Sequence, residues 1–324
     1  MTHVLITGGG GFIGQKLAHR LAQDGQLNGQ EISAMTLVDL GVPAPPEAPF
    51  PIHAKALDIS DAGAVDGLMA QPFDVIYHLA AVVSGAAEAD FDLGLRVNLM
   101  GTLNLLLAAR KAGNCPLVVY ASSVAVHGGE APDPVTDGIE LNPQTSYGAQ
   151  KAMGELLLND MSRKGCIDGR GLRLPTVSIR PGKANAAASS FMSGIFREPL
   201  QGQPSNCPVS KDFHVWHTAP RTIIENLLHA AQVEGAAFGP NRNINLPGRT
   251  DTIEEMIAAM TRVAGPEAEA RITWNSDPVI EGIVLGWRNR FAPDKGLRLG
   301  FKADETFADS VRWFLEDDRQ DPAA

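Results

Sequence analysis

The feature that most constrains this chain stands at its beginning. The apolar run His3-Val4-Leu5-Ile6-Thr7 leads directly into Gly8-Gly9-Gly10-Gly11-Phe12-Ile13-Gly14. A β-rich run halted by glycines reads as a buried strand. Phe12 to Asp24 then carries Ile13, Leu17 and Leu21 at helical spacing. A strand, a glycine-rich turn and a helix in that order form the place where a dinucleotide pyrophosphate binds. Gly8 can take positive φ at the strand exit, Gly11 lets the backbone approach phosphate, and Gly14 lets the helix sit close to the sheet. The first helix turn, from Phe12 and Ile13 on, then offers free N–H groups to an anion. Glycine also makes ordinary turns, so the context carries this reading.

Strand and helix signals alternate from there. Met35–Asp39 reads as a second strand, Ala54–Asp58 as a third and Asp61–Ala70 as a helix. Between them, Gly41–Pro51 holds five prolines and is a loop. Asp74–Leu79 is a fourth strand. Phe91–Ala112 is one long helix with Leu95, Leu99, Leu103 and Leu106 at periods of three and four. Pro116–Ala121, Ser146–Lys164 and Leu172–Ile179 continue as strand, helix and strand. Continuous apolar strands alternating with helices predict an α/β fold, a Rossmann-type doubly wound parallel sheet with a smaller C-terminal substrate-binding region. The expected boundaries are 1–180 for the dinucleotide-binding domain, with 219–247 returning to it. Residues 181–218 and 248–315 form the substrate-binding region, and 316–324 an acidic tail.

The second strand ends in Asp39. A carboxylate there accepts bonds from the ribose hydroxyls of NAD and repels the 2′-phosphate of NADP. Leu40-Gly41-Val42 follows, with no cation to receive that phosphate. Asp39 lies 25 positions after Gly14 (39 minus 14), and the extra length falls in the polar stretch Asp24–Gln30, read as a loop. Asp58, which ends the third strand, and Ile59, which follows it, are candidates to hold the adenine edge and cover its face.

Tyr147 and Lys151, four residues apart on one helix face, are the candidate acid–base pair. A phenol ordinarily has a pKa near ~10, and a neighbouring ammonium is expected to lower it. The phenolate then takes a proton from a carbinol while hydride leaves the same carbon. Ser122 and Ser123 stand at the C-terminal end of the fifth strand, the edge where open α/β sheets bind ligands. Ser123 is placed to bond a substrate oxygen and a cofactor edge. Leu79, Ala80 and Ala81 follow His78 and let the backbone pass close to a cofactor. Asn98 either tethers the chain near this site or packs locally. His127 either faces a substrate carboxylate or hydroxyl, or is a surface group. Asn185 and Ser190, in the polar loop after Pro181, are candidate substrate contacts, and Arg180, Lys183 and His127 are candidates for a carboxylate.

These residues resemble the extended short-chain dehydrogenase/reductase family, also described as NAD-dependent epimerases and dehydratases. Thr7-Gly8-x-x-Gly11-x-x-Gly14, His78-Leu79-Ala80-Ala81, Ser122-Ser123, Tyr147-x-x-x-Lys151 and Arg180-Pro181 stand in that family's order. The resemblance implies that Ser123, Tyr147 and Lys151 are the catalytic residues and that NAD is the cofactor. It implies a homodimer built on the helices near 91–112 and 146–164. Pro143–Lys151 and Arg180–Phe191, running into Arg197–Leu200, look like members acting on a free sugar acid. That likeness implies oxidation of a 2-hydroxyl, D-erythronate being the first substrate expected, to the 2-oxo acid. Where many members carry Val-Tyr-Gly, this chain has Val126-His127-Gly128, which alters the substrate wall.

A nucleotide-sugar epimerase is the alternative, with Arg288 and Arg290 as diphosphate candidates. A dehydratase lacks its acid beside Ser123, where Val124 stands, and a non-catalytic regulator does not need an intact Tyr147/Lys151 pair. The net charge of −10, from 27 basic and 37 acidic residues, disfavours nucleic acid. Cys115, Cys166 and Cys207 show no metal or disulfide spacing, and no metal is expected. No signal peptide is read at the N-terminus and no apolar stretch reaches the ~20 residues of a membrane span. A cytoplasmic protein is expected.

Overall fold

The computed structural model describes residues 1–182, 188–284 and 286–319. They divide into two compact units. The first holds Met1–Val126, Pro143–Arg173 and Ile224–Asn245; the second holds His127–Asn142, Leu174–Ile223 and Leu246–Ala324.

In the first unit, β1 (Thr2–Thr7) and α1 (Phe12–Asp24) are followed by β2 (Gln26–Leu27), β3 (Gln30–Asp39), β4 (Ile52–Ala56) and α2 (Ala62–Leu68). Then come β5 (Val75–His78), α3 (Ser84–Ala89), α4 (Phe91–Gly94), a π-helical segment (Leu95–Gly101) and α5 (Thr102–Ala112). The chain continues through β6 (Leu117–Ser123), α6 (Ser146–Arg163), β7 (Asp168–Leu174) and β8 (Asn243–Asn245). Among the described residues these strands form an eight-stranded sheet in the order β8-β7-β6-β5-β1-β3-β2, with β4 also on β3. β1 pairs in parallel with β3 on one side and with β5 on the other. The connection therefore reverses across β1, and the crevice beyond its C-terminal end is where an open α/β sheet takes a ligand. The expected doubly wound fold is present. Leu5, Ile76 and Val118 of the sheet bury themselves against Leu105, Leu106 and Leu158 of the helices, which is why the strands read as unbroken apolar runs.

Four local expectations are corrected. The polar stretch after α1 is a hairpin: β2 pairs antiparallel with the start of β3, and Asn28 (φ 54°) and Gly29 (φ 69°) make the two-residue turn. The third strand is Ile52–Ala56, which leaves Asp58 in a turn where it accepts the Ser60 N–H at 2.8 Å. The run Leu172–Ile179 is not one strand: Pro175, with no N–H to give, separates β7 from Thr176–Val177, which pairs in another sheet. The long helix over 91–112 is interrupted by its π segment. Gly101 there leaves room for Ile59, whose side chain would lie 2.7 Å from any Cβ at that position.

The second unit has its own core, with Phe196, Val215, Met256, Met260, Phe307 and Phe314 among its buried members. Arg249–Thr252, His214–Thr218 and Thr176–Val177 form a three-stranded sheet. The helix Ile253–Ala264 is closed by a capping box of Thr252 and Glu255. Asp304 accepts the Ala219 N–H at 2.7 Å and the Thr222 hydroxyl, ahead of the last helix. The helix begins at Phe307, capped by Thr306.

Candidate active site

The turn after β1 is shaped for a close approach of backbone to ligand. Gly8 has φ 72°, and a Cβ on it would lie 2.7 Å from the Ala80 nitrogen, beside Leu79. A Cβ on Gly14 would lie 2.2 Å from the Gly8 carbonyl oxygen, so α1 can start here only on glycine. Gly11 precedes α1 with extended backbone and no side-chain cap, which leaves the N–H groups of Phe12, Ile13 and Gly14 without a side-chain acceptor. Asp39 accepts the Gly10 N–H at 2.9 Å and the Leu40 N–H at 2.8 Å. The donor set and the missing Cβ atoms fit a dinucleotide pyrophosphate, with a carboxylate at the ribose end. Ile59 does not supply an open cover for adenine: it is 5% exposed and belongs to the core.

A chain of hydrogen bonds runs beneath this turn. Thr102 donates to the Asn98 carbonyl at 2.6 Å, so its oxygen accepts from His78 Nε2 at 2.9 Å. His78 Nδ1 is then the acceptor for the Thr7 hydroxyl at 2.7 Å. Burial, and after it the charge of Lys151, pushes the His78 pKa down to about 3, so the ring is neutral. Asn98 is a tether: its amide accepts the Val82 N–H at 2.8 Å and donates to the Val82 carbonyl at 3.1 Å and to Gln150 at 2.8 Å. It thereby ties the stretch after Ala81 to α6.

Ser123, Tyr147 and Lys151 come together at the end of β6 and the start of α6. Thr145 caps α6 through the Gly148 N–H. Gly148 is required there, because a Cβ would lie 2.2 Å from the Ala125 carbonyl oxygen. The Ser123 oxygen accepts the Ala125 N–H at 3.1 Å, and its hydroxyl is the group that draws the Tyr147 phenol back down against burial. Lys151, 2% exposed, donates to the Ala121 carbonyl at 2.9 Å, with its Nζ 5.0 Å from the Tyr120 ring centre and 5.7 Å from that of Tyr147.

The expected lowering of the Tyr147 pKa is not what the protein alone produces. Burial pushes the phenol up to about 12, and the opposing pull comes from Ser123. The ammonium is turned toward the Ala121 carbonyl and the Tyr120 ring, so burial of the phenol outweighs its charge. Burial lowers Lys151 to about 8, opposed by the charge of Glu155, so it is protonated at neutral pH. Glu155 itself was not singled out in the sequence; its signal was the four-residue step beyond Lys151.

His127 and Ser190 belong to the second unit. His127 is not a surface group: it is 5% exposed, with its ring centre 5.8 Å from that of Phe291. Arg180 is also there; burial and the charge of Arg197 lower its pKa, and Arg197 donates to its carbonyl at 3.1 Å. Asn185 and Lys183 lie outside the described residues. Arg288 and Arg290 line a cavity of about 440 Å3 together with Asp133 and Asp212. Arg288 donates to the Gly129 carbonyl, and Arg290 lies 3.8 Å from Asp133. Two carboxylates in that lining oppose a dianion.

Residues 4–218 match the model of the NAD dependent epimerase/dehydratase family. D-erythronate dehydrogenase of Cupriavidus necator is 46% identical over 97% of this chain and 98% of its own length. D-erythronate dehydrogenase of Haemophilus influenzae is 40% identical over 97% and 99%. A crystal structure described as the nucleoside-diphosphate-sugar epimerase from Agrobacterium tumefaciens superposes with a TM-score of 0.94 at 44% identity, covering 98% of this chain and 94% of that one.

Proposed function

Because this chain belongs to the NAD dependent epimerase/dehydratase family, we propose that it oxidises the 2-hydroxyl of a short sugar acid, D-erythronate, to the 2-oxo acid. Two relatives of nearly full-length overlap, both named D-erythronate dehydrogenase, support the substrate. The observation that carries the chemistry is the Ser123–Tyr147–Lys151 set on one strand end and one helix face.

The cofactor is NAD, whose pyrophosphate Gly8, Gly11 and the N-terminus of α1 would hold, with Asp39 on the adenosine ribose. NAD, when bound, supplies the hydride acceptor and a positive ring charge that adds to that of Lys151. Tyr147 takes the proton of the C2 hydroxyl as hydride leaves C2, which yields the 2-oxo acid and one released proton. Ser123 bonds the same oxygen and holds it against the phenol. Lys151, charged at neutral pH, stabilises the phenolate. Leu79, Ala80, Ala81 and Asn98 line and hold the chain segment beside the nicotinamide, while Asp58 and the Ile59 backbone sit at the adenine end. His127, Ser190, Asn185 and Arg180 are the substrate-side candidates.

The same chain is proposed to form a homodimer. Phe91, Met100 and Leu107 on the 91–112 run and Met153 and Leu156 on α6 are large apolar side chains left exposed in the first unit. A cytoplasmic location is supported by three free cysteines. Among the described residues no helix is long and apolar enough to cross a membrane.

The test is to mix purified protein with NAD and D-erythronate and follow the absorbance of reduced nicotinamide. Reduction with erythronate, and none with UDP-sugars as substrate, is expected. No reduction with any four-carbon aldonate, together with interconversion of a UDP-sugar, would establish the epimerase reading suggested by the Agrobacterium structure's description.

A further inference from the structure

Three consecutive residues of β6 hold three successive positions of one face of α6. The Ser123 hydroxyl meets Tyr147, the Ala121 carbonyl takes the Lys151 ammonium, and the Ser122 hydroxyl donates to Glu155 at 2.6 Å. Tyr147, Lys151 and Glu155 are spaced by four, one turn apart each. The third contact is unlike the other two. Glu155 is 1% exposed, and Arg173 of β7, 3% exposed, grips it with Nε at 2.9 Å from Oε1 and Nη2 at 2.8 Å from Oε2.

An ion pair buried this deeply is a poor means of stabilisation. Removing two charges from water costs several kcal/mol each, and an apolar pair of equal volume commonly does as well. A helix packing on a sheet therefore does not require it. Its position explains it better. Glu155 stands one turn beyond Lys151, and it is the group whose charge opposes the burial of that ammonium. The other titratable groups facing Lys151 are His78 from β5, Tyr120 from β6 and Tyr147 from α6, and burial keeps all three uncharged at neutral pH. Among the described residues that leaves Glu155, with Arg173 behind it, as the charge that acts on Lys151.

We propose that Glu155, clamped by Arg173 and Ser122, is a positioning residue that sets the axial register of α6 against β6 and supplies the negative charge beneath Lys151. The proposal rests on the catalytic reading of Tyr147 and Lys151, and extends it to residues that touch neither cofactor nor substrate. Through Lys151 it acts on Tyr147: without the anion, the ammonium holds its proton less tightly, which changes the charge against which the phenol titrates.

The experiment is a spectrophotometric titration of the Tyr147 phenolate in the full-length protein with NAD bound, taken as the difference from Tyr147→Phe. The chain has only three tyrosines, and burial holds Tyr77 and Tyr120 well above the usual range, which isolates the signal. Glu155→Gln keeps the shape and the hydrogen-bond acceptor for Ser122, but strands Arg173. Glu155→Gln/Arg173→Met removes both charges together. Both variants are expected to displace the phenolate titration by about 0.5–1 pH unit, and the rising limb of kcat with it, while the Kd for NAD changes less than about threefold. A titration superposed on the wild type in either folded variant overturns the proposal. So does failure of both variants to fold, which would make the pair a scaffold and nothing more. The titration needs no sugar acid, so a wrong substrate assignment leaves it readable; only the kcat limb would then be missing.

Discussion

The carboxylate of Asp39 accepts a hydrogen bond of 2.9 Å from the backbone N–H of Gly10. The acid at the end of β3 and the turn after β1 are thus one structural unit, although 29 residues separate them. The acid orders the turn before any ligand arrives, and it stands where an adenosine ribose is expected. Asp39→Ala is therefore expected to weaken NAD by about tenfold to a hundredfold, the range for a hydrogen bond to a charged group. NADP, no longer repelled, should weaken far less or improve. Fluorescence titration with both reduced cofactors checks this; equal losses for the two would leave Asp39 with a turn-ordering role alone.

Tyr147→Phe removes one oxygen and leaves the ring that lies beneath Lys151. Turnover should fall by about a thousandfold or more, in the range of lost general acid–base catalysis. NAD affinity should stay within about threefold, because the glycine turn and Asp39 are untouched. Steady-state kinetics paired with equilibrium binding separates the two effects. Retention of a tenth of wild-type kcat would remove Tyr147 from the role of base.

Lys151 costs the fold stability. Burial lowers its pKa from 10.5 to about 8, so the folded state binds its proton less tightly than the unfolded chain. Between those two pH values the unfolded state holds more protons, and stability rises with pH across that window. Below about pH 8 the folded protein carries the full burden of a buried ammonium, offset in part by the Ala121 carbonyl and the Tyr120 ring. Lys151→Met should therefore abolish turnover and yet raise the unfolding free energy at pH 7 by roughly 1–3 kcal/mol. Urea denaturation at pH 7 and pH 10 measures it; the gain should shrink at the higher pH. A destabilised variant at both values would contradict the sign.

Leu156 is 63% exposed on α6, and Met153 beside it 37%. A side chain of that kind, with Phe91, Met100 and Leu107 exposed on the 91–112 run of the same unit, is suited to burial against a second copy. Leu156→Glu should convert a dimer to monomer in light scattering while the circular dichroism spectrum stays unchanged. A dimer that survives the charge has its interface elsewhere.

Much of this was legible in the residues. The opening strand, α1 and the acid at the end of β3 were marked by apolar runs, glycines and a strand-end carboxylate, all of which are local signals. What was missed depended on partners distant in the chain. The hairpin of β2 was hidden in a polar stretch, although Asn28-Gly29 is a turn signature by itself. Leu95, Leu99, Leu103 and Leu106 suit an unbroken α-helix, so the π segment was invisible without knowing that Ile59 occupies the space beside Gly101. The burial of His127 depends on Phe291, far along the chain. The charge state of Tyr147 was misjudged because spacing gives proximity to Lys151 but not the direction of its ammonium, which the Ala121 carbonyl claims.

The widened turn at Leu95–Gly101 has a consequence of its own. A helix that spends one additional residue on a single turn rotates everything before it by about a quarter of a revolution relative to everything after it. Asn98 sits inside that turn, able to reach Val82 and Gln150 at once, while Leu105 and Leu106 further on still face the sheet. An unbroken helix would have to choose between gripping the loop and filling the core. Deleting a single residue there should leave a helix of ordinary pitch and a well-packed interior, with the Asn98 grip on that loop lost.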